Sequence, residues 1–268
     1  MANSRLKSVL KLIDAVKEEI PVEQSFLNDL CRSIEMDAKA SQRLPSKTYK
    51  PSSMNCIRNM FYQVTGHPQD EGETSYALVG ICNSGTDIHK RVQDAVLQMK
   101  KYGMDCEYIN VADFVRTRNL EYLTIVSEPN PTVGDYETKL YHNNLKLSFL
   151  CDGIIKYKDK YYILELKTES AYKWQSRTGV DPKHFAQGTS YSIAFDIPNV
   201  IFVYISRDVL SMKSYMFTPT DEMKEELLGK ISECDNYVKK NTLPPIPENV
   251  SKSVCEYCNY RASCKGDM

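Results

Sequence analysis

The sequence lacks several features that would place it in a specialised class. No apolar run approaches the eighteen or so residues of a membrane span, and the N-terminus, MANSRLKSVLKLIDAV, lacks a signal-peptide pattern. It shows no internal repeat and no low-complexity tract. The formal net charge is only −1, so any attraction to nucleic acid must come from a local basic patch. With 42% hydrophobic and 26% charged residues, these absences predict an ordinary globular protein without a membrane partner.

The sequence also lacks the even cysteine spacing of a secreted disulfide framework, although it contains nine cysteines. Together with the missing export signal, this favours a reducing cytoplasm, or the host cytoplasm if the protein is viral. In that compartment clustered cysteines bind metal more often than they form disulfides. The nine cysteines therefore direct attention to the one place where they cluster.

That cluster is the C-terminal segment VCEYCNYRASCKGDM, in which Cys255, Cys258 and Cys264 follow a C-x2-C-x5-C pattern. The segment is too short to fold alone, and zinc and iron–sulfur centres both take four ligands. The tail contains no histidine and no fourth cysteine, so the fourth ligand must come from elsewhere, with Cys56 the best candidate. Zinc and a [4Fe–4S] cluster both fit this ligand set, and coordination number does not separate them.

The stretch from Leu145 to Glu169, LKLSFLCDGIIKYKDKYYILELKTE, is typical of two β-strands joined by a turn at Lys158-Asp159-Lys160. Because side chains alternate along a strand, Glu165 and Lys167 lie on one face. A two-residue turn would place Asp152 on that face too, whereas a three-residue turn would turn it away. Two carboxylates and a lysine on one sheet face predict a site for a divalent cation and a water. The alternative is a set of solvated charges on an edge hairpin.

Apolar spacing predicts an N-terminal helical extension over residues 1–45 and a main domain over 46–268. The extension comprises helices from Ser4 to Ile20 and from Val22 to Lys39, a pair suited to packing or to docking a protein partner. Before the hairpin, the sequence of the main domain predicts a helix after Pro51 with Ser52 or Ser53 as N-cap, a helix entered by Gly85 to His89, and strands near Ile125 and Tyr136. After the hairpin, it predicts a helix from His184 to Ala194, a buried strand from Asn199 to Ser206, an outer strand from Ser211 to Pro219 and a helix from Thr220 to Asn241. This order predicts an α/β fold with a mixed central sheet flanked by helices.

Several short motifs occur together in a known order, namely Gly85-x3-His89, Asp152, Glu165-x-Lys167, Gln187-x3-Tyr191 and the split set of Cys56 with the three tail cysteines. In this order the chain resembles the RecB-like branch of the PD-(D/E)XK nucleases, specifically the iron–sulfur members. These include the CRISPR-associated RecB-like exonucleases and the AddB-type nuclease domains. The resemblance covers about Pro51 to Lys265. One departure is Phe149, which occupies the position three residues before the aspartate where the family usually has glycine.

The resemblance implies a restriction-endonuclease-like fold and assigns roles by position. His89, Asp152 and Glu165 would be metal ligands, assisted by the carbonyl of Leu166. Such ligands suit Mg²⁺ or Mn²⁺, and an imidazole favours Mn²⁺. Lys167 would orient and help deprotonate the attacking water.

Other residues receive supporting roles from the resemblance and from their neighbourhood. Gln187 and Tyr191 would contact DNA, and Cys56, Cys255, Cys258 and Cys264 would hold a [4Fe–4S] cluster, with zinc as the alternative. Glu137 is a weaker candidate for a supporting acidic role. Lys173, Trp174 and Arg177 either contact a single strand or simply begin a solvated helix.

The predicted function is that of a metal-dependent DNA nuclease, an exonuclease on single-stranded DNA or DNA ends in recombination, repair or DNA processing. One alternative is a non-catalytic nucleic-acid-binding or partner-binding subunit that retains the nuclease fold. Another is a CRISPR-adaptation-type factor that trims spacers. No membrane partner is expected, and a protein partner would bind through the N-terminal helices.

Overall fold

A computed structural model describes residues 20–41, 46–70, 72, 74–130, 136–248 and 250–266. The chain divides into two compact units. Of the described residues, one unit contains 20–41 and 74–81, and the other contains 46–70, 72 and the chain from Cys82 onward. The predicted helix from Ser4 to Ile20 lies outside the described residues except for its last position.

The helices, in chain order, are α1 (Val22–Ala40), α2 (Ile57–Thr65), α3 (Tyr76–Met99), α4 (Val111–Thr117), α5 (Ala171–Ser176), α6 (Phe185–Phe195), α7 (Asp221–Lys239), α8 (Lys252–Glu256) and α9 (Arg261–Gly266). The strands are β1 (Cys106–Ile109), β2 (Leu123–Ser127), β3 (Thr138–His142), β4 (Leu147–Cys151), β5 (Gly153–Tyr157), β6 (Lys160–Glu169), β7 (Val200–Ser206) and β8 (Met212–Phe217). None of the described helices combines the length and hydrophobicity needed to cross a membrane.

The strands form a five-stranded sheet in the order β1-β5-β6-β7-β8 and a three-stranded sheet in the order β2-β3-β4. In the larger sheet β6 and β7 are parallel, while the other neighbours are antiparallel. The parallel pair is joined by a crossover that contains α5 and α6. The predicted mixed central sheet flanked by helices is therefore confirmed.

Two hydrophobic clusters lie against the larger sheet. One contains Ile163, Phe202 and Tyr191, together with residues of the smaller sheet, α6 and α7. The other contains Ile88 of α3 with Leu164, Leu166 and Ile205. Because Ile163 and Leu164 are consecutive in β6, the two clusters lie on opposite faces of that strand. The catalytic candidates on β6 are thus held in a strand that is packed on both faces.

The turn between β5 and β6 has two residues, which is the alternative that places Asp152 opposite Glu165. Tyr157 pairs with Lys160, which leaves Lys158 and Asp159 as the turn, and both have positive φ (48° and 61°), as a type I′ turn requires. The first arm is not one continuous strand, however. It breaks at Asp152, where the chain leaves the smaller sheet as β4 and enters the larger sheet as β5.

The helix after Pro51 begins later than predicted. Residues Pro51–Ser53 form a single 3-10 turn, and α2 starts at Ile57 with Cys56 at the N-cap position. The predicted cap at Ser52 or Ser53 is wrong because the Ser53 hydroxyl instead accepts a hydrogen bond from Gln63 Nε2 at 2.6 Å. This shift places Cys56 at the helix N-terminus, where backbone N–H groups lack partners within the helix.

Candidate active site

Asp152 occupies the junction between the two sheets and is buried. Its Oδ2 atom accepts a hydrogen bond from the Leu166 backbone N–H at 2.6 Å, which ties the junction to β6. Its carbonyl accepts two more hydrogen bonds, from Gln93 Nε2 at 2.8 Å and from the Tyr108 hydroxyl at 3.1 Å. A strand break that is bonded at both its side chain and its carbonyl holds the carboxylate in one position.

His89 reaches this carboxylate from α3. Its Nδ1 atom lies 3.3 Å from Asp152 Oδ1. One turn earlier on the helix, a Cβ at Gly85 would lie only 3.1 Å from the Thr168 side-chain hydroxyl. Glycine at this position therefore lets α3 lie close to β6, which explains the spacing of the Gly85-x3-His89 motif in physical terms.

Glu137 completes a compact group of potential metal ligands. One ligand atom each from His89, Glu137 and Asp152 lies within 4.8 Å of the others. Within the part of the chain that the structure describes, no other three potential metal ligands lie as close together. Sequence reasoning gave Glu137 a minor role because it stands alone before β3, with no motif around it. Glu165, which was predicted as a ligand, lies outside this 4.8 Å group.

The carboxyl groups are crowded electrostatically. Burial, followed by the charge of Asp152, raises the pKa of Glu137 to about 7. Burial also raises the pKa of Glu165 to about 7, although Lys167 opposes it. Burial would raise the pKa of Asp152 as well, but His89, Lys167 and the Leu166 N–H together hold it below its usual range. A cation bound among such closely spaced carboxylates would stabilise their ionised forms.

Glu165 and Lys167 project from the same face of β6 and contact each other. Lys167 Nζ donates to Glu165 Oε1 at 2.5 Å, and Gln187 Nε2 donates to the same oxygen at 2.7 Å. Gln187 also donates to the Tyr191 hydroxyl, which in turn donates to the Leu150 carbonyl. The Gln187-x3-Tyr191 pair therefore orients Glu165 and ties α6 to β4. Since both residues are buried, their immediate partners are protein atoms.

Arg177 is not available to a nucleic acid in this structure. Its guanidinium makes two 2.7 Å hydrogen bonds to Glu169, lies 4.1 Å from the centroid of the Tyr204 ring, and has a side chain that is only 8% exposed. Trp174 donates from its indole to the Tyr204 carbonyl and packs against the core. Lys173 remains partly exposed beside Asp181, at 3.1 Å. Of the three candidates that follow the motif, Lys173 retains an exposed charge.

The four cysteines of the split set line one cavity of about 240 Å³. Arg58 donates from its guanidinium to Cys264 Sγ at 3.4 Å, and Asn59 donates to Cys258 Sγ at 3.5 Å. Burial raises the pKa of the Cys56 thiol, while the N–H groups of Asn59 and Arg58 oppose that effect. Hydrogen-bond donors thus point at the sulfur atoms of Cys258 and Cys264, and burial raises the pKa of the Cys258 thiol.

The spacing of these sulfur atoms bears on the choice of metal. With zinc–sulfur bonds of about 2.3 Å, the sulfurs of a tetrahedral zinc site lie about 3.8 Å apart. Among the four described cysteines, no three sulfur atoms lie within 4.8 Å of one another. The sulfur atoms are therefore more widely spaced in this structure than in a closed tetrahedral zinc site.

The tail is attached to the core by residues that sequence reasoning did not select. Asp70 accepts hydrogen bonds from the Ser263 N–H at 3.0 Å and from the Ser263 hydroxyl at 2.6 Å, and its own N–H donates to Asn259. Tyr260 is buried and stacks on Tyr62 of α2, with ring centroids 5.2 Å apart. The one sequence signal for the stacking contact is Tyr260 itself, an aromatic residue between Cys258 and Cys264.

The solved structures named below are similar to this chain at low sequence identity. No family model and no curated protein match this sequence. Among solved structures, the chain is similar to the protein SSO0001 at 17% identity and a TM-score of 0.46, over 90% of this chain and 98% of that one. It is also similar to the exonuclease LHK-Exo in complex with dAMP, at 10% identity and a TM-score of 0.42, over 73% and 89% of the two chains.

A further structure of the same enzyme, an alkaline exonuclease from Laribacter hongkongensis, has 12% identity and a TM-score of 0.35 over 74% of this chain and 90% of that one. Similarities of this size do not establish a family or an activity.

Proposed function

We propose that the chain is a metal-dependent DNA nuclease, an exonuclease on single-stranded DNA or DNA ends in recombination, repair or DNA processing. The observation that supports this most is the convergence of ligand atoms from His89, Glu137 and Asp152 beside the Glu165–Lys167 pair. An imidazole, three carboxyl groups and a lysine at one sheet junction form a set of side chains suited to phosphodiester hydrolysis with a divalent cation.

The site residues fit Mn²⁺ or Mg²⁺. His89, Glu137 and Asp152 would hold the cation, with Glu165 and the Leu166 carbonyl as further ligands. Oxygen-rich ligands suit both ions, and the imidazole favours Mn²⁺. When bound, the cation would polarise the scissile phosphate and stabilise the charge that develops on it.

Side chains of the protein would activate the attacking water and hold the site in position. Lys167, held by Glu165, would orient the attacking water and help to remove its proton. Gln187 would fix Glu165, since its amide donates to the Glu165 carboxylate. The Tyr191 hydroxyl accepts a hydrogen bond from the same amide nitrogen of Gln187 and would hold that amide in place. Gln187 lines a polar cavity together with Lys167, and its proposed contact with DNA would be made there. The proposed contribution of the buried Tyr191 to DNA binding would act through Gln187.

We further propose that Cys56, Cys255, Cys258 and Cys264 hold a [4Fe–4S] cluster. Support comes from their shared cavity, from the donors that Arg58 and Asn59 direct at the sulfurs, and from a sulfur spacing wider than a zinc site. The role would be structural, because the cluster would connect α2 to a tail about 200 residues further along the chain. Zinc remains the alternative.

The N-terminal helical extension, residues 1–45, is proposed as a surface for a protein partner, with 46–268 as the nuclease domain. In the described part of the extension, α1 buries no residue, and Phe26, Leu27 and Leu30 expose large apolar side chains. Contiguous exposed apolar side chains on a helix are typical of an interaction surface.

The test is cleavage of end-labelled DNA with Mn²⁺ or Mg²⁺ by the wild type, Asp152→Ala and Lys167→Ala. We expect each variant to lose about two to four orders of magnitude in rate while retaining the wild-type circular dichroism spectrum. Asp159→Ala and Lys160→Ala, at the exposed end of the same hairpin, serve as matched controls and should cleave normally. If either site variant cuts single-stranded DNA at the wild-type rate, the assignment is wrong.

A further inference from the structure

A second polar cavity, of about 440 Å³, adjoins the candidate active site. It is lined by Lys167 and Gln187 and, from the C-terminal tail, by Tyr257 and Asn259. We call this cavity the lysine groove, because Lys167, Lys173 and Lys183 all line it. Its volume lies within the range of roughly 300–1,000 Å³ in which proteins enclose small ligands.

The lysine groove is more positive than the rest of the molecule. Three lysines and one aspartate, Asp181, are its charged lining residues within the described chain, a balance of +2, whereas the whole chain carries −1. Burial and then the charges of Lys167 and Lys183 lower the pKa of His184, also in the lining, to about 2. The neighbouring imidazole is therefore neutral, chiefly because it is buried.

Asp181 does not neutralise the lysines around it. It lies 3.1 Å from Lys173 Nζ and 3.8 Å from Lys183 Nζ, but it also accepts from Arg177 at 3.3 Å. The single Asp181 carboxylate is thus shared by three cationic side chains. The side chains of Lys173 and Lys183 are 43% and 40% exposed. Both ammonium groups retain charge that an anionic ligand in the groove would neutralise.

Tyr257 contributes an exposed aromatic ring from the tail side of the groove. It is 85% exposed, although it belongs to the Cys255-x-x-Cys258 motif. The Tyr257 and Cys258 backbone N–H groups both donate to the Cys255 carbonyl, so the ring projects from an ordered turn. An exposed ring combined with cationic side chains in one groove is the arrangement with which proteins bind single-stranded nucleic acid without reading its sequence.

We infer that the lysine groove is a subsite for an unpaired nucleotide next to the reacting phosphate, with its base stacked on Tyr257 and its phosphates on Lys173 and Lys183. This subsite rests on the proposed nuclease function, since Lys167 joins the groove to the site of cleavage. It predicts a preference for single strands, because a base must leave its duplex stack before it can stack on a protein ring. Neutral amide and hydroxyl groups form much of the remaining lining.

The subsite is tested by binding rather than by cleavage. The full-length chain is titrated in EDTA against a fluorescein-labelled oligothymidylate and against a blunt duplex of the same length. We expect Tyr257→Ala to weaken binding of the single strand by on the order of 10-fold, with a much smaller effect on the duplex, and Tyr257→Phe to restore it. Tyr102→Ala, which removes an exposed tyrosine outside the groove, should bind like the wild type.

The salt dependence tests the lysines separately. Lys173→Gln and Lys183→Gln should each reduce the slope of log K against log salt by about 0.7 for the single strand, the value for one phosphate contact. Lys160→Gln, at the exposed hairpin turn, should leave the slope unchanged. All variants should retain the wild-type melting temperature within about 2 °C, so that loss of binding is not loss of fold.

The two proposals fail separately. If DNA is cleaved but Tyr257→Ala binds single strands like the wild type, the subsite is wrong and the nuclease assignment stands. If Tyr257→Ala reduces binding of duplex and single strand equally, stacking is also refuted. If binding depends on Tyr257 while the wild type cleaves no DNA with either metal, the nuclease assignment fails and the groove remains a single-strand site.

Discussion

At the scale of single residues, Arg177 is buried between the Glu169 carboxylate and the Tyr204 ring. Its position just after the Glu165-x-Lys167 motif had made it a possible DNA contact in the sequence. Glu137 shows the opposite error, since it has no motif but lies with His89 and Asp152. Both errors have one cause, which is that side chains distant in sequence meet only after the sheets form.

Arg177→Ala should therefore act on stability. Removing the guanidinium leaves the buried Glu169 carboxylate without its partner, which costs about 3 kcal/mol or more. We expect the free energy of unfolding in urea to fall by that amount. The control, Lys173→Ala, removes a partly exposed charge and should cost no more than about 1 kcal/mol. If Arg177→Ala keeps the wild-type stability but loses DNA binding, then Arg177 contacts the nucleic acid and this account of the residue is wrong.

At the scale of secondary structure, local signals predicted most elements well. The buried strand β7, the outer strand β8 and the helix α7 with its cap at Thr220 all occur where apolar spacing and capping residues indicate them. The break at Asp152 was not predictable, because the run of apolar residues continues through it. Which sheet each half joins depends on pairing with β1 and β3, and no local pattern encodes that pairing.

The two-residue turn between β5 and β6 contains a strained backbone conformation whose free-energy cost can be measured. Asp159 has φ of 61°, a conformation that costs a non-glycine residue about 1 kcal/mol. Asp159→Gly should therefore raise the free energy of unfolding by somewhat less than 1 kcal/mol, after loss of the exposed ion pair with Lys156. Glu225→Gly, at an exposed position inside α7, should lower it by about 1 kcal/mol. A destabilised Asp159→Gly would mean that this turn is not strained.

At the scale of the whole molecule, the cysteine set brings the start and the end of the proposed nuclease domain to one cavity. Sequence spacing predicted that Cys56 would join the tail, and the structure places all four cysteines around one cavity. How the tail reaches that cavity was not predictable, because Asp70 and Tyr260 act through hydrogen bonds and stacking that no cysteine pattern contains.

Loss of the proposed cluster should destabilise the domain without unfolding it. Protein purified without oxygen should be brown and contain about four iron atoms per chain, and Cys56→Ser should lose both the colour and the iron. Because the Asp70 and Tyr260 contacts remain, we expect Cys56→Ser to fold but to melt at a lower temperature. Cys82→Ser, which changes an exposed cysteine outside the cavity, should keep iron and melting temperature unchanged. Colourless wild-type protein that contains zinc would refute the cluster.

The position of the proposed catalytic cation can be measured directly. Crystals soaked in MnCl₂ would be examined by anomalous diffraction at the manganese edge, for the wild type and for Asp152→Ala. We predict one strong anomalous peak per chain, in contact with His89, Glu137 and Asp152 and next to Glu165, and no such peak in Asp152→Ala. A wild-type crystal with no peak there, or with manganese bound only elsewhere, would contradict the proposed active site.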